Sequence, residues 1–456
     1  MMFFFGRGED GQLGTGYRSD RPLPVELAGF ARGQRVRMIA LGSGHSLVLT
    51  SDGVVWATGR GDDGRLGLGA PMEWVSAPQR VRLIEGSRAE PRALAVAAGS
   101  YHSAVIDEAG CLWMCGGSLF GKLGLGEGVG APLPARVLGF GRGRVLAVTC
   151  GSKHTCALVL GAATANLSVY AWGSAEKGVL GLPAAALPPK TSAAGAAAGG
   201  GAENAAQAEG QHRVIPFPTR IPAFDGGPPV EQLAACGAHT LALAGGSVWA
   251  WGEGRFGRCG SGTEDDVLEP RIVAPLSLGP NAAGAFGAGA RVVHVAAGGF
   301  HSTAVDAAGV AWAWGGGEHG QLGVAAAPGN ALAPVRIGAL SQHFIVSSAC
   351  GWSHSLFLCE DGAVHVCGNT DHGKAGLSVA ELDAVAARNA RISAAAVAEA
   401  ALPLPATFLR SVVMPTRIRT LSGQRTTFIC AYNEHSAVVR GENGDRGAES
   451  REAPAR

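Results

Sequence analysis

Short alternating apolar strands recur along the chain, each running into a glycine loop of one form. The loop begins at Gly6 (GRGEDGQLG) and returns at Gly59, Gly116, Gly173, Gly252, Gly315 and Gly368, with the spacing G-x4-G-x-x-G kept in all seven copies. Three places before the first glycine stands Phe3, Trp56, Trp113, Tyr170, Trp249 or Trp312, with His365 as the exception. One place before it stands Phe5, Thr58, Cys115, Trp172, Trp251, Trp314 or Cys367. Side chains two apart share a strand face, so this face reads as apolar and is expected to be buried.

A second apolar strand precedes each of these and starts from a Gly-x-x-His turn, which places His45, His102, His154, His239, His301, His354 and His435 at one repeat position. The copy at His239 is one residue short (CGAHT), and the copy at His435 has Tyr432 where the glycine belongs. Asp52-Gly53, Gly245-Gly246 and Asp361-Gly362 supply hairpin chemistry between the two strands. A third mark is a Pro-x-x-aliphatic run, from Pro24–Leu27 to Pro415–Ile418, again in seven copies. Repetition at this scale belongs to propellers and solenoids. The chain opens with an aromatic strand and closes with an apolar one (Phe428 to Val439), so neither end holds a whole unit. Joining the two ends completes a seventh blade and leaves no ring edge open.

The combination aromatic-x-x-Gly-x4-Gly-x-Leu-Gly with Gly-x-x-His-Ser/Thr resembles the RCC1 repeat family, over nearly the whole span from Phe3 to Val439. The resemblance implies an all-β fold, a seven-bladed β-propeller with four-stranded blades closed by pairing of the N- and C-terminal strands. Cys259 and Ala375 at the loop leucine, the short turn at His239 and Tyr432 depart from the pattern and bear on local packing only.

The 456 residues read as one repeat domain over 1–440, because closed repeat architectures exceed the usual domain length. Two wide gaps between repeat histidines mark insertions. The first, 183–213, is low in complexity and is expected to be a flexible surface loop with no packing of its own. The second, 378–402, pairs Ser378 with Glu381 in a capping-box pattern and is expected to be helical. Its Leu382, Val385 and Ile392 suit either an embellishment resting on the ring, the favoured reading, or a helix for a partner. The tail 441–456 reads as disordered. With 47% hydrophobic residues, 16% charged residues and net charge +1, the composition supplies a large core and no electrostatic reason to bind nucleic acid or a membrane. The opening MMFFF lacks a basic segment and a long apolar one, so it reads as strand, not as a leader. Ten cysteines without Cys-x-x-Cys suit a reducing compartment, and the protein is expected in the cytoplasm or nucleus as a monomer. Cys150, Cys236 and Cys350 share one repeat position with Leu41, Ala98 and Ala297, which points to packing.

No cofactor, metal site or catalytic constellation is expected. The loops Gly116–Lys122 and Gly368–Lys374 read G-x4-G-K but continue with Leu123 and Ala375 in place of Ser or Thr, and they are copies of the repeat loop. The seven histidines lie on different blades, too far apart to share an ion, and are assigned to pairing buried groups. The variable residues inside the Gly-x-x-His turns are the candidate contacts, since loops at repeat ends form one continuous face. Among these are Tyr101, Lys153, Phe300, Trp352 and Glu434, with Phe300 and Trp352 on successive blades able to form one aromatic patch. The leading reading is a non-catalytic protein-binding propeller. The alternative that the resemblance implies is a guanine-nucleotide exchange factor for a small GTPase. A third, an ultraviolet-B receptor-like signalling protein, ranks behind both. The exchange factor of the family carries acidic residues in several turns and its plant ultraviolet-B receptors carry repeated Gly-Trp-Arg-His-Thr; here Glu434 is the one acidic turn residue and Trp352 is followed by Ser353.

Overall fold

Each alternating run is tied to the next by a tight turn, so consecutive runs pair antiparallel. In the computed structural model, which describes residues 1–27, 34–69, 72–86, 89–162, 166–192, 211–273, 291–324, 329–398, 411–421 and 425–441, this produces seven four-stranded sheets. Each blade is named here by its turn histidine. The His102 blade is typical, with strands Ala93–Ala98, His102–Asp107, Leu112–Gly116 and Ala131–Arg136 in sequence order. The second strand lies between two partners and between two neighbouring blades, so both of its faces are covered. It is buried along its whole length in six blades and at all but Leu160 in the His154 blade. The aliphatic residues that end the Pro-x-x-aliphatic runs, Leu27, Val81, Val137, Ile221, Val273, Ile337 and Ile418, are all buried.

The His435 blade takes strands from both ends of the chain. Met2–Gly6 pairs antiparallel with His435–Arg440, from Met2 opposite Val439 to Gly6 opposite His435. Arg21–Glu26 and Thr426–Tyr432 flank this pair. The ring is therefore closed by the chain's own terminal strands, as the incomplete units at the two ends imply.

The residue one place before each loop is buried throughout, from Phe5 to Cys367. The residue three places before is only half-buried at Phe3, Trp56, Tyr170 and Trp249. All ten cysteines are free thiols. Burial pushes the Cys236 and Cys350 thiols up to about 12, so they stay protonated and act as small apolar side chains.

The first insertion differs from the expected unpacked loop at its stems. Thr191–Ser192 pairs with Gln211–His212, and the His212 ring stands edge-on to Phe120 at 5.1 Å. Residues 193–210 between these stems lie outside the described residues, as does the tail beyond 441. In the second insertion a helix runs from Val379 to Ala398. Ser378 and Glu381 make a reciprocal cap, and the buried Asn389 donates to the Ser411 carbonyl at 2.7 Å. Arg388 donates to the Met414 carbonyl and the Thr416 hydroxyl, which fixes the helix to the outer strand of the His354 blade. Residues 399–402 lie outside the described residues, as does the side chain of Ile392. Among the described residues no helix is long and apolar enough to cross a membrane.

Candidate functional site on the turn face

The seven histidines form a circular lock between blades. Each Nε2 lies against the Ser or Thr that follows the next blade's histidine: His45–Ser103 at 2.8 Å, His102–Thr155 at 2.9 Å, His154–Thr240 at 2.8 Å, and so on to His435–Ser46 at 3.2 Å. Ser46, Ser103, Thr155, Ser302, Ser355 and Ser436 each donate their proton to a loop carbonyl of the blade before. Those hydroxyls can only accept from the imidazole, so Nε2 carries the hydrogen. Burial keeps the rings neutral: it pulls His154 to about 4, His301 and His435 to about 3, and the other four well below their ordinary value.

Except at Phe5, the residue one place before the loop brings a donor to the same seam between blades. Trp172, Trp251 and Trp314 give their indole N–H to the carbonyls of Lys122, Val179 and Arg258 at 2.9, 3.1 and 3.0 Å. The Thr58 hydroxyl lies between the Gly11 carbonyl of the preceding blade at 2.9 Å and the Val75 carbonyl of its own at 2.7 Å, and Cys115 and Cys367 donate through sulfur to Arg65 and Gln321. The loop itself docks on the next blade. A Cβ on Gly178, whose φ is +71°, would meet Leu268 Cα at 2.5 Å, so only glycine fits.

This scaffold holds the turns on one face, where Tyr101, Lys153, Phe300, Trp352 and Glu434 are all half-buried. Lys153, Phe300 and Trp352 come together around a cavity of about 390 Å³ over the His239 blade. The cavity lies where the turn is one residue short: Gly237 and Ala238 line it, and no fourth turn residue fills the space. On one side Phe256, Phe300 and Trp352 form an edge-to-face chain with centroids 5.7 and 5.8 Å apart. Trp352 lies over Gly299, where a Cβ would stand 2.8 Å from the indole ring. Arg258 is buried beneath, 5.3 Å from the Phe300 ring centre, and donates to the Gly299 carbonyl at 3.1 Å. On the other side the Lys153 ammonium sits 4.6 Å from the centre of the Phe120 ring.

Glu253 joins the two sides, paired with Arg258 at 3.0 Å and with Lys177. Burial raises its pKa, but the Lys177 hydrogen bond and the Arg258 charge outweigh that and hold the carboxyl below its ordinary value. Burial likewise pulls the Lys153 ammonium down, with Glu253 opposing. Among the described residues no carboxylate lies within salt-bridge distance of Lys153.

Tyr101 and Glu434 lie outside the cavity lining. Tyr101 covers Arg65 at 4.9 Å, and Arg65 is held by Asp63 at 2.6 Å. Glu434 pairs with the buried Lys374. Both lysines of the G-x4-G-K loops face inward. Lys122 is 1% exposed, donates to the Leu119 carbonyl at 3.1 Å and is pulled by burial to about 7. Neither lysine is presented to a phosphate. Phe120, Lys177 and Phe256, which the sequence reading passed over, stand just before the second loop glycine with φ of +62°, +56° and +65°. The left-handed backbone there costs about 1 kcal/mol or more each. The signal open to sequence reasoning was that this loop position varies freely while the glycines around it do not.

The fold and the turn-face lock define an RCC1-type propeller. The RCC1-like domain model matches residues 1–287, and RCC1 repeat models match residues 308–358, 292–321 and 345–374. The chain belongs to the RCC1-like family. It is 32% identical over 360 residues to the E3 ubiquitin-protein ligase HERC2 of Homo sapiens, covering 78% of this chain and 6% of that one. It is 27% identical over 378 residues to the ultraviolet-B receptor UVR8 of Arabidopsis thaliana, covering 82% of this chain and 74% of the receptor. It is 26% identical over 337 residues to the secretion-regulating guanine nucleotide exchange factor of Mus musculus, covering 74% and 64%. The crystal structure of human WBSCR16 shares the fold with a TM-score of 0.71 at 21% identity, covering 97% of this chain and 100% of that one.

Proposed function

We propose that the protein is a non-catalytic binding platform that engages protein partners through the face carrying the Gly-x-x-His turns. The observation behind this reading is the cavity over the shortened His239 turn, where Phe300 and Trp352 stay half-exposed beside Lys153. Aromatic side chains in a partly desolvated recess are the usual anchors of protein interfaces. Among the described residues of this face, Glu253, Lys177 and Arg258 are tied to one another and the repeat histidines are locked between blades, which favours binding over chemistry.

Exchange activity toward a small GTPase is the second reading, favoured by the similarity to the secretion-regulating exchange factor. An acidic turn face does not support it, because Glu434 is the acidic turn residue and is engaged by Lys374. The similarity to the ultraviolet-B receptor stands behind a third reading, but Trp352 has Phe300 as its ring neighbour and Ser353 beside it in sequence.

The test is affinity capture from extract after magnesium is chelated, with elution first by excess GDP and then by salt. Partners indifferent to nucleotide, and lost when Phe300 and Trp352 become alanine, are the expected result. A small GTPase released by GDP would replace the platform by the exchange reading, because a factor that binds the nucleotide-free form best must be displaced by nucleotide.

A further inference from the structure

The cavity has two unlike walls, and their chemistry defines what fits between them. We infer that it receives an acidic side chain followed by a large apolar one from a protein partner's surface segment, the carboxylate on Lys153 and the apolar group on Phe300 and Trp352. This rests on the platform reading and specifies the chemistry of its contact.

Charge bookkeeping selects the carboxylate. Lys153, Lys177 and Arg258 oppose Glu176 and Glu253 in the lining, three cations against two anions, an excess of one positive charge among these five groups, while burial keeps His154 neutral. Glu253 is shared by Lys177 and Arg258. Glu176 accepts from the Arg213 backbone at 3.0 Å and faces Lys190 at 3.8 Å. Lys153 is the lining cation that has no such carboxylate among the described residues, and its companion is the face of Phe120. A half-buried ammonium resting on an aromatic ring has lost part of its water, and Glu253, whose charge reaches it, is paired with Lys177 and Arg258 and not with Lys153, so an incoming carboxylate meets a donor already partly desolvated. A phosphate would bring nearly two negative charges against one net positive and leave Glu253 and Glu176 repelling it.

The apolar half follows from the opposite wall. Phe300 and Trp352 face the cavity, Phe300 backed edge-on by Phe256 outside the lining and Trp352 seated over Gly299, whose missing side chain leaves room for the indole. A wall positioned in this way costs little ordering on binding. The cavity of about 390 Å³ suits two side chains of a segment, not a whole folded element.

The experiment titrates the full chain with three capped peptides, Ac-Gly-Glu-Phe-Gly-NH2 and its Gln-Phe and Glu-Ala counterparts, alongside a phosphoserine-Phe control peptide, and follows binding by ligand-observed nuclear magnetic resonance. The Glu-Phe peptide is expected to bind about tenfold more tightly than either counterpart, the worth of one charge-assisted bond or one buried ring. Lys153→Met is expected to remove the preference for Glu over Gln and keep the preference for Phe over Ala; Phe300→Ala is expected to do the reverse. Lys153 is half-exposed, so the Met variant keeps the fold, and circular dichroism checks it. Equal binding of Glu-Phe and Gln-Phe, a preference that survives Lys153→Met, tighter binding of the phosphoserine-Phe peptide, or no binding at millimolar peptide would each overturn the inference. Failure here with partner capture still lost in the Phe300→Ala and Trp352→Ala variants would leave the platform standing without its acidic anchor. Retention of partners by those variants would remove the platform itself.

Discussion

The residue before each loop shows how much chemistry an apolar pattern conceals. Thr58, Cys115, Trp172, Trp251, Trp314 and Cys367 look interchangeable only as buried side chains, yet each carries a donor aimed at a loop carbonyl of the preceding blade. Phe5 lacks a donor and is a purely apolar copy. The histidines carry the same logic into pH dependence. Their folded pKa values lie below the unfolded value of 6.5, so the unfolded chain takes up protons first as pH falls. Stability is thus full well above pH 6.5 and is lost as pH falls through that value toward about 4 for His154 and about 3 for His301 and His435. Between about pH 7 and 5.5 each ring costs roughly 1 kcal/mol, and the seven together on the order of 8 kcal/mol. That is comparable with the whole stability of a domain. The urea midpoint is therefore expected to fall steeply over this interval, and an unchanged midpoint would contradict the neutral lock.

At the scale of elements, turn length decides where the face opens. The Gly-x-x-His turns at Gly42, Gly99, Gly151, Gly298 and Gly351 carry two residues between glycine and histidine, whereas the His239 turn carries only Ala238. Inserting one serine between Gly237 and Ala238 restores the common length. Because the turn is at the surface of the ring, stability is expected to change by less than about 1 kcal/mol. Partner recovery is expected to fall as though Phe300 and Trp352 had been truncated, since the inserted residue occupies the cavity. Recovery at the level of the unaltered protein would place the contact elsewhere. The helix Val379–Ala398 teaches the converse lesson. Its cap is readable from Ser378 and Glu381, but its attachment depends on Arg388 and Asn389, polar residues whose partners Met414, Thr416 and Ser411 lie more than twenty positions onward.

For the whole molecule, the pairing of Met2–Gly6 with His435–Arg440 turns a row of blades into a ring. Deleting residues 1–6 would expose the edge of His435–Arg440 and break the lock between His435 and Ser46 at the seam. A lower and broader thermal transition is expected, together with self-association in size-exclusion chromatography with light scattering, because an open strand edge pairs with another chain. A monomer melting as sharply as the intact protein would show that closure contributes little.

The blade number, the closing strands and the location of the turn face were legible in the sequence, because each repeats or truncates a local pattern and seven copies average out the noise of any one. Lys153, Phe300 and Trp352 were legible as variable residues in turns, while their meeting in one cavity was not. That meeting depends on three different blades, on a missing residue in a fourth, and on the left-handed backbone of Lys177 in the lining and of Phe120 and Phe256 behind Lys153 and Phe300. The partners of the buried cations were equally hidden: Arg65, Arg258 and Lys374 are loop residues in the sequence, and in the fold they reach the Ser100 carbonyl, the Gly299 carbonyl and Glu434 on the following blade. Periodic hydrophobicity specifies a strand's own face because it is a one-dimensional property. Which polar groups are left without a partner at the end is set by distances between blades, and those exist only once the ring has closed.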